Sequence, residues 1–221
     1  MVKVFIGVGH GGSDPGAVAN NTKEKDLNLS IALACRDELE RHGVSVKMSR
    51  SQDENDPIGE EVKECNAYSP DLAVDIHNNA GGGDGAEVFY SHLGGKGKNL
   101  AENILGEIVK LGQNSRGIKT RVNSQGKDYY AFIRNTSCPA VIVECAFIDN
   151  TSDLNFLATE GDRKKVGIAI AHGILNTMGV KIQSEKGYWK VQVGAYLYRE
   201  NAEAMQKKIK SVGFDAFIVK E

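Results

Sequence analysis

Val2-Lys3-Val4-Phe5-Ile6-Gly7-Val8 runs straight into Gly9-His10-Gly11-Gly12. The first seven residues are apolar apart from one lysine and mostly β-branched, and the glycine-rich turn bounds them. That pattern predicts a short buried strand. The chain then alternates between amphipathic stretches and further short apolar runs. Residues 25–42 place Leu27, Ile31, Ala34, Cys35 and Leu39 on one helical face and stop at Gly43. Residues 44–48 read as a strand, 60–67 as a helix, and 71–76 as a strand ending at His77. Residues 87–90 read as a strand, 99–111 as a helix and 129–133 as a strand. Residues 140–143 form an apolar strand ending at Glu144, and 162–178 a helix with Val166, Ile170 and Ile174 on one side. This alternation predicts an α/β fold: a mostly parallel, twisted sheet with helices on both faces.

The bulk numbers bound the function. With 221 residues the chain holds one generous domain, or one domain and a small appendage. A hydrophobic share of 41% and a charged share of 25% exclude wholesale disorder. The net charge of −2 gives no basic field for nucleic acid. No apolar stretch is long enough to span a bilayer, and the N-terminal run is too short for a secretory signal. The expectation is a protein made in the cytoplasm that does not enter a membrane. Cys35, Cys65, Cys138 and Cys145 show no CxxC spacing and read as free structural thiols.

Three residues stand at the C-terminal ends of buried strands: His10, His77 and Glu144. In a parallel sheet these ends lie along one edge, where ligand crevices form. Glu24, at the start of the first helix, begins at the same edge. Two imidazoles and one carboxylate suit a catalytic zinc site with an open fourth position, leaving one carboxylate as general base. Each residue taken singly also has a structural reading, since Glu24 suits a helix N-terminus and a histidine after a strand is often just satisfied there. Glu144 is harder to set aside, because a carboxylate closing an apolar run is costly without a partner. His42, His92 and His172 lack the placement and read as non-catalytic.

The same segments resemble the N-acetylmuramoyl-L-alanine amidase type 3 family. Its GHGG…DPGA pattern appears as Gly9-His10-Gly11-Gly12-Ser13-Asp14-Pro15-Gly16-Ala17, and its EKxxNLxIA segment as residues 24–32. Its SIHxNA segment reads Asp75-Ile76-His77-Asn78-Asn79-Ala80, followed by Gly85-Ala86-Glu87-Val88. Arg116-Gly117-Ile118-Lys119 resembles its RGVK, and residues 139–150 its closing PAxLVExGFxxN. Several ordered motifs over residues 1–178 are far more specific than any one. The resemblance implies one zinc ion on His10, Glu24 and His77, with Glu144 the catalytic carboxylate. It also implies hydrolysis of the bond between N-acetylmuramic acid and L-alanine in peptidoglycan, by a phage endolysin or a bacterial autolysin. Without a signal, such a protein would reach the wall through membrane holes or lysis. Rival readings are a zinc peptidase cutting the stem peptide and a non-catalytic wall-binding protein. Asp75 replaces the usual serine before the histidine, Ala146 a glycine, and Glu61 an arginine expected before Asn66.

Composition shifts near Gly179. Residues 1–179 read as the catalytic domain and 180–187 as a polar linker. Residues 188–221 resemble half of a SPOR peptidoglycan-binding repeat: strand 188–193, helix 200–211, strand 214–219. This small βαβ unit, lacking its second half, is expected to bind the cell wall and to pair with a second copy as a homodimer.

Overall fold

The computed structural model describes residues 2–183, 192–214 and 216–219. They fall into two compact units, Met1–Gln183 and Ser184–Glu221. The first is built on a six-stranded sheet. Its strands are β1 (Lys3–Val8), β4 (Ser45–Met48), β5 (Leu72–Asn79), β6 (Ala86–Tyr90), β7 (Ser115–Lys119) and β8 (Ala140–Phe147), in the order β4-β1-β5-β8-β6-β7. The four strands β4, β1, β5 and β8 are parallel. β6 runs antiparallel to β8, and β7 parallel to β6. The reversal has a simple cause: residues 80–85, between β5 and β6, are too few for the crossover that a parallel return requires.

Alternation along the strands sends side chains to two helical layers. Val4, Ile6 and Val8 of β1, with Val141, Val143 and Cys145 of β8, join one core with α1 (Glu24–Arg41), α3 (Gly95–Lys110) and α6 (Glu160–Met178). Phe5, Ala73 and Ile142 point the other way, into a smaller core with Cys65 of α2 (Ile58–Tyr68) and Phe132 of α4 (Ala131–Asn135). α6 lies close against its neighbours because Gly167 and Gly173 carry no side chain. A Cβ there would stand 2.4 Å from the Ile31 carbonyl oxygen and 2.5 Å from the Ile104 Cα.

Several local expectations are corrected. Residues 129–133 are not a strand: Tyr130 is the extended N-cap of α4, and Phe132 and Ile133 reach the smaller core from a short helix. The run has strand-like composition, but Phe132 and Ile133 pack into the smaller core from a helix, and tertiary packing overrides propensity. β7 was hidden by its polar sequence Ser-Arg-Gly-Ile-Lys. His77 and Glu144 lie inside β5 and β8, two and three residues before the strands end, not beyond them. The hairpin of β2 (Val18–Ala19) and β3 (Thr22–Lys23) and the short α5 (Thr151–Phe156) also went unread.

In the second unit, α7 (Arg199–Ser211) forms where a helix is expected. Phe214 and residues 216–219 are not strand, and neither are Gln192 and Val193; the rest of the strand expected at 188–193, and linker residues 184–187, lie outside the described residues. A strand needs a partner for its backbone groups, and this unit offers none among its described residues.

Candidate metal centre

The first ligand candidate sits on a strained turn. His10 has φ 63°, a left-handed conformation that crowds the β-carbon of any non-glycine residue. Neighbouring contacts hold it there. Its Nδ1 faces Asp14 Oδ2 at 2.8 Å, and the other Asp14 oxygen accepts from the Gly16 amide. Beneath the turn the buried Arg50 guanidinium donates to the carbonyls of Val8, Gly9 and Lys25. Lys25 ties the Gly12 carbonyl to Asp53.

Glu24 arrives through the β2–β3 hairpin. Asn20 and Asn21 occupy its tight turn at φ 50° and 63°, conformations that asparagine tolerates better than most residues. The chain then enters α1 with Glu24 in the first turn, buried. Its Oε2 accepts from the Ala17 amide at 3.0 Å, and its Oε1 from the Asn78 amide at 3.2 Å. Gly16 makes the approach feasible, since a Cβ there would lie 2.6 Å from His10 Cδ2 and 2.7 Å from Glu24 Oε2.

His77 completes the group from β5. Its Nδ1 is 3.0 Å from Glu24 Oε1, while His10 Nε2 is 3.2 Å from Glu24 Oε2. The two rings meet edge to face, with centroids 5.1 Å apart. Gly9 leaves room for the His77 ring, because a Cβ at residue 9 would come within 2.2 Å of it. The ligand atoms of all three residues lie within 4.8 Å of one another.

This set fits a cation. The outer nitrogen of each ring is committed to a carboxylate: His10 Nδ1 to Asp14, and His77 Nε2 to Asp75 at 3.1 Å. In the neutral rings, His10 Nε2 and His77 Nδ1 would then turn lone pairs on the Glu24 oxygens. Something positive must stand between them. Without metal, protons take that place. The Glu24 hydrogen bond is the main cause raising His10 above its ordinary pKa. Burial opposes the charged form of His77, but Asp75 and Glu24 outweigh it and hold that ring well above its usual value. Burial likewise opposes ionised Glu24, yet the two histidines hold it far below the carboxylate range. Two imidazole nitrogens facing the two oxygens of one carboxylate, at 3.0 and 3.2 Å, make a nitrogen and oxygen donor set of the kind that would hold zinc.

Glu144 is placed beside this group, not in it. It pairs in register with His77 of β5 on one side and with Glu87 of β6 on the other. Its Oε2 is enclosed and has no hydrogen-bond partner among the described residues. Burial pushes its carboxyl up to about 7, with nearby Glu24, Glu87 and Asp75 adding to the rise and His77 opposing it. Glu87 is pinned by Arg116, Lys119 and Asn79. The other histidines keep apart: His92 faces Asp128, while His42 and His172 pack at Glu38. The four cysteines are free.

Sequence reading thus brought the metal candidates to one place but gave no role to the carboxylates behind them. Asp14, four residues after His10, and Asp75, two before His77 on the same strand face, could have been found from that spacing.

Comparison with known proteins bears on this arrangement. The family model described as N-acetylmuramoyl-L-alanine amidase matches residues 4–176, and the chain belongs to that family. A SPOR domain model matches residues 157–220, running from the end of α5 through α7. The chain is 34% identical over 223 residues to the sporulation-specific N-acetylmuramoyl-L-alanine amidase of Bacillus subtilis (strain 168), covering 99% of this chain and 85% of that relative. It is 35% identical to the endolysin of Bacillus phage SPP1 over 82% of this chain and 68% of the endolysin. The catalytic domain of CwlV, an N-acetylmuramoyl-L-alanine amidase from Bacillus (Paenibacillus) polymyxa var. colistinus, superimposes with TM-score 0.72. It is 28% identical, with 82% of this chain and 100% of that domain covered.

Proposed function

We propose that this chain hydrolyses the amide bond between N-acetylmuramic acid and L-alanine in peptidoglycan, with zinc on His10, Glu24 and His77 and with Glu144 as proton carrier. One observation carries the reading: Glu144, whose Oε2 has no partner among the described residues, stands in register with one member of a three-donor cluster that needs positive charge. When bound, the zinc ion would polarise the scissile carbonyl and bring the pKa of water down from 15.7 toward about 7. Everything else falls to the chain. His10 and His77, fixed by Asp14 and Asp75, present one nitrogen each. Glu144, ionised, takes the proton of the attacking water; protonated, it returns a proton to the departing alanine nitrogen. A carboxyl near neutrality serves both steps.

Residues 1–179 form the catalytic domain in this reading, 180–187 the linker, and 188–221 a segment that binds the wall and pairs with a second copy. Relatives named as a sporulation amidase and as an endolysin support a lytic role at the wall, in a phage or a bacterial setting. No helix of the described residues is long and apolar enough to cross a membrane. Digestion of purified peptidoglycan tests the cleavage. New alanine N-termini are expected; other N-termini would mean a stem peptidase, and none a wall-binding protein without catalysis. Metal analysis should find one zinc per chain, and full retention of zinc by His77→Ala would overturn the ligand assignment.

A further inference from the structure

Two buried carboxyl groups stand behind His77. Asp75 precedes it by two residues on β5, so both side chains leave the same face of the strand. Asp75 Oδ2 lies 3.1 Å from His77 Nε2, and Asp75 Oδ1 has no hydrogen-bond partner among the described residues. Glu61 reaches the same place from α2. It too is buried, with Oε1 unpartnered.

Both oxygens converge on Gly7, which pairs in register with Asp75 across β1 and β5. A Cβ at residue 7 would stand 1.9 Å from Glu61 Oε1 and 2.8 Å from Asp75 Oδ1. The two carboxyl oxygens therefore share the space a side chain would fill, which explains a glycine within a buried strand.

Two ionised carboxylates enclosed together repel, and one proton between them removes the conflict. Burial first, then Asp75 and Asp56, push the Glu61 carboxyl well above the usual range. Glu61 is accordingly the partner with an O–H to offer toward the unpartnered Asp75 Oδ1, while Asp75 Oδ2 faces the imidazole.

We propose that Asp75 is a positioning residue for the metal ligand His77, and that Glu61 supports it from behind. Glu61 donates to Asp75 Oδ1, Asp75 Oδ2 accepts from His77 Nε2–H, and the ring is held with Nδ1 toward Glu24 and the metal. A carboxylate behind a ligating histidine fixes its tautomer and raises its basicity, and loss of such a partner costs about 10–100-fold in metal affinity. The inference rests on the metal reading above.

The test measures zinc affinity of the full chain, stripped of metal and titrated in competition with a chelator. Asp75→Ala is expected to weaken zinc binding by about 10–100-fold. Glu61→Gln, neutral and still a donor, should bind as the parent does, while Glu61→Ala loses several-fold. Circular dichroism of the stripped proteins reports folding. If Asp75→Ala does not fold, the isosteric Asp75→Asn takes its place, and its uncharged amide should still weaken binding at least several-fold. Parent-like affinity in whichever Asp75 variant folds overturns this proposal alone. A parent chain that binds no zinc overturns the metal reading itself, and this proposal with it.

Discussion

Glu144 and Glu24 are both glutamates near His77, yet their surroundings drive them apart. Glu24 receives two imidazoles and two backbone amides and stays ionised. Glu144 has an oxygen to which nothing donates among the described residues, and burial lifts it to about 7. Glutamates held so differently suit different tasks, one as ligand and the other as proton carrier. Glu144→Gln should therefore keep its zinc and its melting temperature while peptidoglycan cleavage falls by about 10²–10⁴-fold, the usual worth of general acid–base help. Turnover near that of the parent, measured by release of alanine N-termini, would show Glu144 to be structural. Gly9→Ala makes a separate point. Its added methyl would meet the His77 ring at 2.2 Å, and residue 9 is held by the strand before it and by its amide on the Ile76 carbonyl, so the ring must give way. Zinc affinity should drop by at least tenfold, of the order seen when the shell behind a ligand is disturbed. Chelator competition measures it. At this scale the sequence was readable wherever a polar residue interrupts an apolar run, as His10, His77 and Glu144 do. It was less readable where carboxylates act through another residue: Asp14 and Asp75 are marked only by their spacing from the histidines, and Glu61 looks like an ordinary surface acid until the fold buries it.

At the scale of elements, apolar periodicity located the main helices and the buried strands, since burial on one or two faces leaves a period of 3.6 or a continuous run. It failed at β7, a polar edge strand, and at α4, whose aromatic run imitates a strand. It also could not show which helices would be tied together by charge. Glu38 of α1 does this: it is buried, pairs with Arg41 at 2.6 Å and meets His172 of α6 at 3.0 Å. Burial works against its ionised form, but Arg41 and His172 hold its pKa below that of a free glutamate. A depressed carboxylate stabilises the fold fully above the unfolded value of about 4.3 and loses that contribution as pH falls through its lower folded value. Glu38→Gln should cost about 1–3 kcal/mol at pH 7, because it weakens the charged hydrogen bonds that a buried carboxylate accepts. The difference from the parent should shrink below about pH 4 as the parent glutamate takes up its proton. Melting curves of the two proteins from pH 3 to 7, in a chelator so that metal plays no part, check both claims. A gap that stays constant across that range would place the contribution of Glu38 elsewhere.

For the molecule as a whole, the instructive contrast is between its two units. The first has a continuous core on each face of its sheet. In the second, α7 has no fully buried residue. Ala202, Met205 and Ile209 line one face of α7 at helical spacing and are partly exposed. Phe214, Phe217 and Val219 are 69%, 73% and 62% exposed. A segment with so much uncovered apolar surface, and with no strand pairing among its described residues, gains stability from any surface that covers the one and supplies the other. A second copy of the same segment would do so: each would supply the strand partners and the apolar face that the other lacks, in the twofold arrangement commonest among oligomers. Two joined tails would also hold two catalytic units near one polymer and raise avidity for it. The prediction is a homodimer through residues 188–221, read by light scattering on the full chain at tens of micromolar, with a mass twice that of one chain. Met205→Lys puts a charge on the covered face of α7 and should return the mass to one chain without changing zinc content or cleavage of soluble wall fragments. A full chain that remains monomeric at that concentration rules the dimer out. A dimer that Met205→Lys leaves intact would move the contact away from α7.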